Sequence, residues 1–221
     1  MSKQMESYFY NPRSDMLRFL PTHYQRVLEV GCGAGAFHAE LNLGIEYWGV
    51  DPSESAQRVM SGRVYKFLLG RLEDVALDLP ENYFDMIVIN DVMEHTSDHE
   101  AFLLILKAKL ATGGSLVGSV PNVRYVLNLK ELLWKKDWAY QASGGVLDET
   151  HLRFFTKKSL LRSFSSAGFV VQQCEGINPI WWSLHRTRKV VKEILYSAVG
   201  FVLGRDVPYL QFGFRCNVRE E

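Results

Sequence analysis

The chain has 221 residues, 47% hydrophobic and 23% charged, which is enough apolar material for one sizeable core and too little for two. Lys plus Arg and Asp plus Glu number 25 each, so no net field draws the molecule onto nucleic acid or anionic lipid. Three cysteines, Cys32, Cys174 and Cys216, lack metal-ligand or redox spacing and read as free thiols in a reducing compartment. The N-terminal stretch has no signal-peptide core and no run of about 18 apolar residues occurs, so a cytoplasmic protein without a transmembrane segment is expected.

Short β-branched runs alternate with helical stretches through the first half, the pattern of a parallel sheet covered on both faces. Strands are predicted over Arg26 to Val30, Tyr47 to Asp51, Val64 to Leu69 and Phe84 to Asn90. A glycine turn and a helix to about Leu43 follow the first, and a Ser53-capped helix to Met60 follows the second. Met86-Ile87-Val88-Ile89 is apolar without alternation, as a strand buried on both faces should be. Ser97 to Glu100 reads as a capping box that opens a helix to Leu110, stopped by Gly113-Gly114, with a strand over Ser115 to Val120 beyond.

The rhythm breaks after Pro121. Residues 121–155 read as an insertion, with a helix over Val123 to Trp134, that forms a lid within a single domain of residues 1–221. Thr156 then caps a helix over Lys157 to Ala167, Gly168 ends it, and a strand runs from Phe169 to Glu175. A helix near Trp181 to Leu203 and a final strand, Tyr209 to Val218, complete the chain. The aromatic and basic stretch from Trp181 to Lys189 suits either a crossover helix or contact with a membrane surface or protein partner.

The chemistry-bearing stretch is Glu29-Val30-Gly31-Cys32-Gly33-Ala34-Gly35, a strand that runs into glycines at every second position. Asp51 closes the second strand about twenty residues on, where a carboxylate accepts hydrogen bonds from ribose hydroxyls. A nicotinamide dehydrogenase spaces its glycines differently, to seat a pyrophosphate on a helix N-terminus. Here Glu29 would repel a pyrophosphate and suits the cationic amino-acid end of S-adenosylmethionine, directly or through backbone and water.

These residues resemble motif I of class I S-adenosylmethionine-dependent methyltransferases. Gly49-Val50-Asp51-Pro52-Ser53 is similar to their ribose-binding motif, and Phe84 to Val88 with Asp91-Val92-Met93-Glu94-His95 is similar to their fourth-strand signature. The resemblance implies an α/β Rossmann-like doubly wound sheet, mostly parallel and seven-stranded, with an antiparallel last strand. It also implies S-adenosylmethionine as cofactor, S-adenosylhomocysteine as product, and a cofactor site of Glu29, Gly31, Cys32, Gly33, Gly35, Asp51, Pro52, Leu72, Glu73, Asn90 and Asp91. One departure stands out: Arg71 occupies a position where the family often has an acid, which leaves the adenine to the Leu72 or Glu73 backbone or the Glu73 side chain.

Methyl transfer to a hydroxyl needs a base, and histidine titrates near neutrality. His95, after the fourth strand, and His151, at the end of the insertion, are the two candidates; each also reads as a structural hydrogen-bonding residue. Asn122 either orients an acceptor or shapes a turn. No metal site is expected. Val120 to Tyr125 and His151 to Thr156 look like the small methyltransferases of bacterial surface-polysaccharide synthesis and also like MetW proteins. O-methylation of a small molecule, a sugar or glycan-precursor hydroxyl first, is therefore the expected activity, and a MetW-like accessory role through a partner enzyme is the alternative. A homodimer is also open.

Overall fold

The computed structural model describes residues 13–142, 144–180, 200 and 202–219. Its sheet comprises β1 (Arg26–Val30), β2 (Glu46–Asp51), β3 (Lys66–Leu69), β4 (Phe84–Asn90), β5 (Leu110–Pro121), β6 (Phe169–Pro179) and β7 (Tyr209–Val218), in the order β3-β2-β1-β4-β5-β7-β6. β1 pairs in parallel with β2 and β4, and β5 in parallel with β4, whereas β7 runs antiparallel to both β5 and β6. The expected seven-stranded α/β fold is thus the one observed. Strand order reverses between β1 and β4, and the crevice beyond the carboxyl ends there is where open sheets of this kind bind ligands.

Burial explains the central strands. Met86, Ile87, Val88 and Ile89 of β4 are all fully buried, because both faces of the sheet are covered. Leu28, Ile87, Ile89 and Leu116 pack on one face with Phe102, Leu106, Leu160 and Phe164 of the helices α3 (His99–Lys109) and α5 (Lys157–Ser166). Val27, Met86, Val88 and Val117 pack on the other with Met16 and Phe19 of a 3-10 helix, Ser14–Phe19, that sequence periodicity did not reveal.

Helix ends follow local chemistry. Ser53 Oγ accepts from the Ala56 N–H to cap α1 (Glu54–Met60), and Thr156 with Ser159 forms a capping box on α5. On α3 the cap is Asp98, whose carboxylate accepts from Glu100 and Ala101 N–H, and not Ser97. One carboxylate oxygen there takes two of the orphan N–H groups, which leaves a Ser-to-Glu box nothing to add. α2 is a single turn, Leu72–Val75, and α4 (Val126–Lys130) passes into a π-helical turn over Glu131–Lys135. α4 starts later than predicted because Asn122 bridges Phe155 and the chain then turns, with Tyr125 N–H donating to the Asn122 carbonyl and Arg124 N–H to its side chain.

The predicted helix from the glycine turn to Leu43 does not form; only a 3-10 turn, His38–Glu40, is present. Gly31, Gly33 and Gly35 all have positive φ, so the loop extends five residues past β1, and Phe37 and Leu41 then turn into the core while Leu43 is wholly exposed. β5 begins earlier than predicted, because Gly113-Gly114 is absorbed as an irregularity in its pairing with β4 and does not end the segment. The helix predicted over Trp181 to Leu203 lies almost wholly outside the described residues. No helix among the described residues is long and apolar enough to cross a membrane.

Candidate active site

Where β1 ends, the chain turns through Gly31 (φ 74°) and Gly33 (φ 51°). A Cβ on Gly31 would lie 2.6 Å from Val92 Cγ2, so the loop has to stay bare where it meets the loop after β4. A Cβ on Gly35 would meet the thioether of Met60 at the end of α1, and Gly35 lines neither cavity of the crevice.

Asp51, at the end of β2, ties the two loops together. Its Oδ2 accepts from the Gly33 N–H at 2.8 Å and its Oδ1 from the Ser53 N–H at 2.9 Å. Burial pushes this carboxyl up and the two N–H bonds oppose the shift. Each oxygen keeps a lone pair for a hydroxyl in the crevice.

Glu29 is 3% exposed and accepts from the Tyr47 hydroxyl. Burial pushes its carboxyl up to about 8, against the Tyr47 hydrogen bond, so at neutral pH it holds its proton. A protonated Glu29 favours the indirect of the two routes to a cation that the sequence left open. Cys32 is buried behind the loop, and burial pushes its thiol far above the ordinary range.

Sequence reasoning missed Arg13. Its Nη1 donates to Asp91 Oδ2 and its Nη2 to Ser119 Oγ at 2.9 Å. Ser119 Oγ in turn donates to Asp91 Oδ1 at 2.8 Å, and Gln211 Nε2 reaches the same carboxylate at 2.7 Å. No motif marks Arg13, which lies 78 residues from Asp91, and only the docking of the 3-10 helix brings it there. Neither polar atom of the Asn90 side chain, both buried, has a hydrogen-bond partner.

Two adjoining cavities fill the crevice. One of about 110 Å³ is lined by Arg13, Glu29, Gly31, Cys32 and Gly33, and one of about 520 Å³ by Pro52, Leu72, Glu73, Val92 and His95; Gly31, Asp51, Asn90 and Asp91 border both. Of the predicted site residues only Gly35 and His151 stand outside these walls.

His95 and His151 do meet, with ring centroids 4.8 Å apart. His95 Nδ1 sits 3.2 Å from both the carbonyl and the hydroxyl oxygen of Thr150. Burial and the neighbouring His151 lower its pKa, so its ring is neutral at pH 7. His151 is buried, its Nδ1 donating to the Val146 carbonyl at 2.9 Å and its Nε2 lying 4.0 Å from Glu94. Neither carboxylate oxygen of Glu94 has a hydrogen-bond partner, and burial holds its carboxyl well above the usual range. Ligating atoms of Glu94, His95 and His151 lie within 4.8 Å of one another, a spacing a cation could use, although one nitrogen of His151 is committed to the backbone. The end of the insertion is fastened to the same loop, since Leu152 and Arg153 N–H both donate to the Glu94 carbonyl. Asn122, wholly buried, bonds the Asp206 and Tyr209 carbonyls and the Arg124 N–H, so it serves the turn.

A crevice at a topological switch point, with a bare glycine loop on one side and an acid ending the next strand, defines a nucleotide-type cofactor site in an α/β enzyme. The family model described as a methyltransferase domain matches residues 4–174, so the chain belongs to that family. In family and fold it is a class I S-adenosylmethionine-dependent methyltransferase. It is 29% identical over 195 residues to a ubiquinone biosynthesis O-methyltransferase of Nitrobacter winogradskyi, covering 79% of this chain and 69% of that protein. The human mitochondrial protein of the same name is 26% identical over 183 residues, 75% of this chain, and the chain spans about half of that relative's length (48%). Among solved structures, an S-adenosylmethionine-dependent methyltransferase of Archaeoglobus fulgidus superposes with a TM-score of 0.64 at 19% identity, covering 87% of this chain and 85% of that one. A putative methyltransferase of Haloferax volcanii, in complex with the activator Trm112, superposes with a TM-score of 0.66 at 17% identity, covering 99% and 93%.

The residues present fit S-adenosylmethionine. The orphaned Asn90 amide and the bare Gly31 backbone face the space a ligand would fill, Asp51 is placed for a ribose, and the larger cavity has apolar walls in Leu72, Val92 and Phe102.

Proposed function

We propose that the chain methylates a hydroxyl oxygen of a small molecule, with His95 as the base. The observation that carries this reading is the position of His95, whose neutral imidazole lines the same cavity as Asp51, Asn90 and Asp91. The cofactor, when bound, supplies an electrophilic methyl group on a sulfonium, so the protein's tasks are alignment and removal of one proton.

Asp51 takes the ribose hydroxyls through its free lone pairs, and Leu72 and Glu73 border the adenine. Arg13 holds the cofactor's carboxylate, an assignment supported by its guanidinium in the wall of the smaller cavity beside Asp91. Glu29 keeps the glycine loop in place through Tyr47 and carries no charge to the ligand at neutral pH. His95 accepts the acceptor's hydroxyl proton, Thr150 fixes its ring, and His151 braces it from the side. Residues 121–155 act as the lid, anchored by its last residues to the loop that carries His95. A sugar or glycan-precursor hydroxyl is the first acceptor to try; the O-methyltransferase relatives support oxygen as the atom methylated.

The test is transfer of a labelled methyl group from S-adenosylmethionine to a panel of sugars, sugar phosphates and phenols. Label recovered as an O-methyl ether, with S-adenosylhomocysteine formed in equal amount, is the expected result. Tight cofactor binding with no transfer to any hydroxyl, and capture of a partner enzyme instead, would favour the MetW-like accessory role.

A further inference from the structure

A cavity larger than either of the two at the glycine loop lies elsewhere. About 1120 Å³ of space lies farther along the same carboxyl edge, between the end of β6 (Ile177, Asn178), the start of β7 (Tyr209), the first turn of α5 and the Ser14–Phe19 helix. This volume suits a ligand of substrate size.

Its wall connects to the cofactor crevice by a continuous polar chain. Asn178 Nδ2 donates to Gln211 Oε1 at 2.7 Å and to Asp15 Oδ2 at 3.2 Å, and Gln211 Nε2 donates to Asp91. Arg13, Asp91 and Asn178, three of the five non-glycine residues with positive φ among those described, all lie on this chain. A left-handed backbone at a residue with a side chain costs about 1 kcal/mol and persists where the surroundings impose it, most often at functional sites. Arg13 and Asp91 line the smaller crevice cavity and Asn178 lines this one, so the strained residues stand at both ends of the polar chain.

The charge of the wall is one-sided once its ion pairs are removed. Asp206 pairs with Arg124 and Glu175 with Arg18, while Asp15 shares Arg13, which lines the smaller crevice cavity, with Asp91. Lys157, Lys158 and Arg205 also line the cavity, and none of them has an acidic partner within salt-bridge distance among the described residues. Tyr209, Ile177 and Phe212 supply an apolar floor beneath that cationic rim. The wall holds five cations, Arg18, Arg124, Lys157, Lys158 and Arg205, and three carboxylates, Asp15, Glu175 and Asp206; an uncharged sugar would leave that surplus of two positive charges unmatched, whereas a diphosphate would match it.

We propose that this cavity is the acceptor pocket and that the acceptor carries a phosphate or diphosphate group, held by Lys157, Lys158 and Arg205 while its hydroxyl-bearing part extends along Asn178 and Gln211 toward Asp91. The proposal rests on the methyltransferase reading above. It does not fix whether the phosphate comes from a soluble nucleotide-linked molecule or a lipid headgroup.

Calorimetric titration in the presence of saturating S-adenosylhomocysteine tests it, with uridine diphosphate, uridine and phosphatidylglycerol vesicles as probes. The variant carries Lys157→Gln, Lys158→Gln and Arg205→Gln together, all exposed positions. The expected result is binding of uridine diphosphate that weakens with added salt and falls at least tenfold in the variant, with S-adenosylhomocysteine affinity unchanged as the control for folding. Binding to vesicles alone, lost in the same variant, retains the phosphate chemistry and assigns it to a lipid. Uridine diphosphate binding no better than uridine, with vesicles silent, overturns the proposal and leaves the methyltransferase reading intact; so does any binding the variant keeps. Failure of S-adenosylhomocysteine itself to bind the unaltered protein overturns both.

Discussion

Arg13 and Asp91, 78 residues apart, meet as an ion pair in which both partners have left-handed backbones, φ 51° and 53°, and only 12% of each side chain is exposed. The pair closes the end of the crevice next to the glycine loop, and Ser119 and Gln211 hold the Asp91 carboxylate from the other side. A charged group fixed this firmly is preorganised for a ligand's charge.

Arg13→Ala should weaken binding of S-adenosylhomocysteine roughly tenfold or more, the scale of a lost hydrogen bond to a charged group. Binding of methylthioadenosine, which lacks the amino-acid end, should change little. Parallel titrations of the two ligands check this; equal losses for both would show that Arg13 only supports the fold.

His95→Gln should lower turnover by about two orders of magnitude or more, the usual contribution of a positioned base, while S-adenosylhomocysteine affinity stays within about twofold. Burial and His151 lower the His95 pKa from 6.5, so kcat/KM should fall only on the acid side of that value and be flat through neutrality. A pH–rate profile with its acid limb above pH 7 would remove His95 from the role.

Glu29 makes a prediction about stability. Its carboxyl titrates near 4.5 when unfolded and at about 8 in the fold. Between those values the folded state binds the extra proton, so stability falls as pH rises through the window, by up to about 1.4 kcal/mol per pH unit for the one group. Glu94, also raised, adds to the same trend. Glu29→Gln keeps the shape and a partner for Tyr47 without the titration. Urea unfolding at pH 6 and pH 8.5 should show the variant losing less stability across the interval than the parent.

Much of this was legible in the residues. β1, β2, β4 and β7 were placed to within a residue, because Val27-Leu28, Val50 and Met86 to Ile89 must be buried on both faces and glycines or acids mark where they end. The walls of the crevice followed from Gly31, Gly33 and Asp51, whose roles are set within a few residues of sequence. What could not be read depends on distant contacts. Arg13 acquires its partner only through docking of the Ser14–Phe19 helix, and Glu94, in sequence only one residue of the stretch after the fourth strand, comes within 4.0 Å of His151 through the end of the insertion. The helix expected after Gly35 failed for a related reason, since the core asks only for Phe37 and Leu41 and is satisfied by a single tight turn.

The central claim is that the crevice between Gly31, Asp51 and Asn90 holds S-adenosylmethionine, and titration of the unaltered protein and Asp51→Asn with S-adenosylhomocysteine and NAD addresses it most directly. The account predicts micromolar-range binding of S-adenosylhomocysteine, on the order of 8 kcal/mol, that weakens at least tenfold in Asp51→Asn, and no comparable binding of NAD. Tighter binding of NAD, or S-adenosylhomocysteine affinity indifferent to Asp51→Asn, would contradict it.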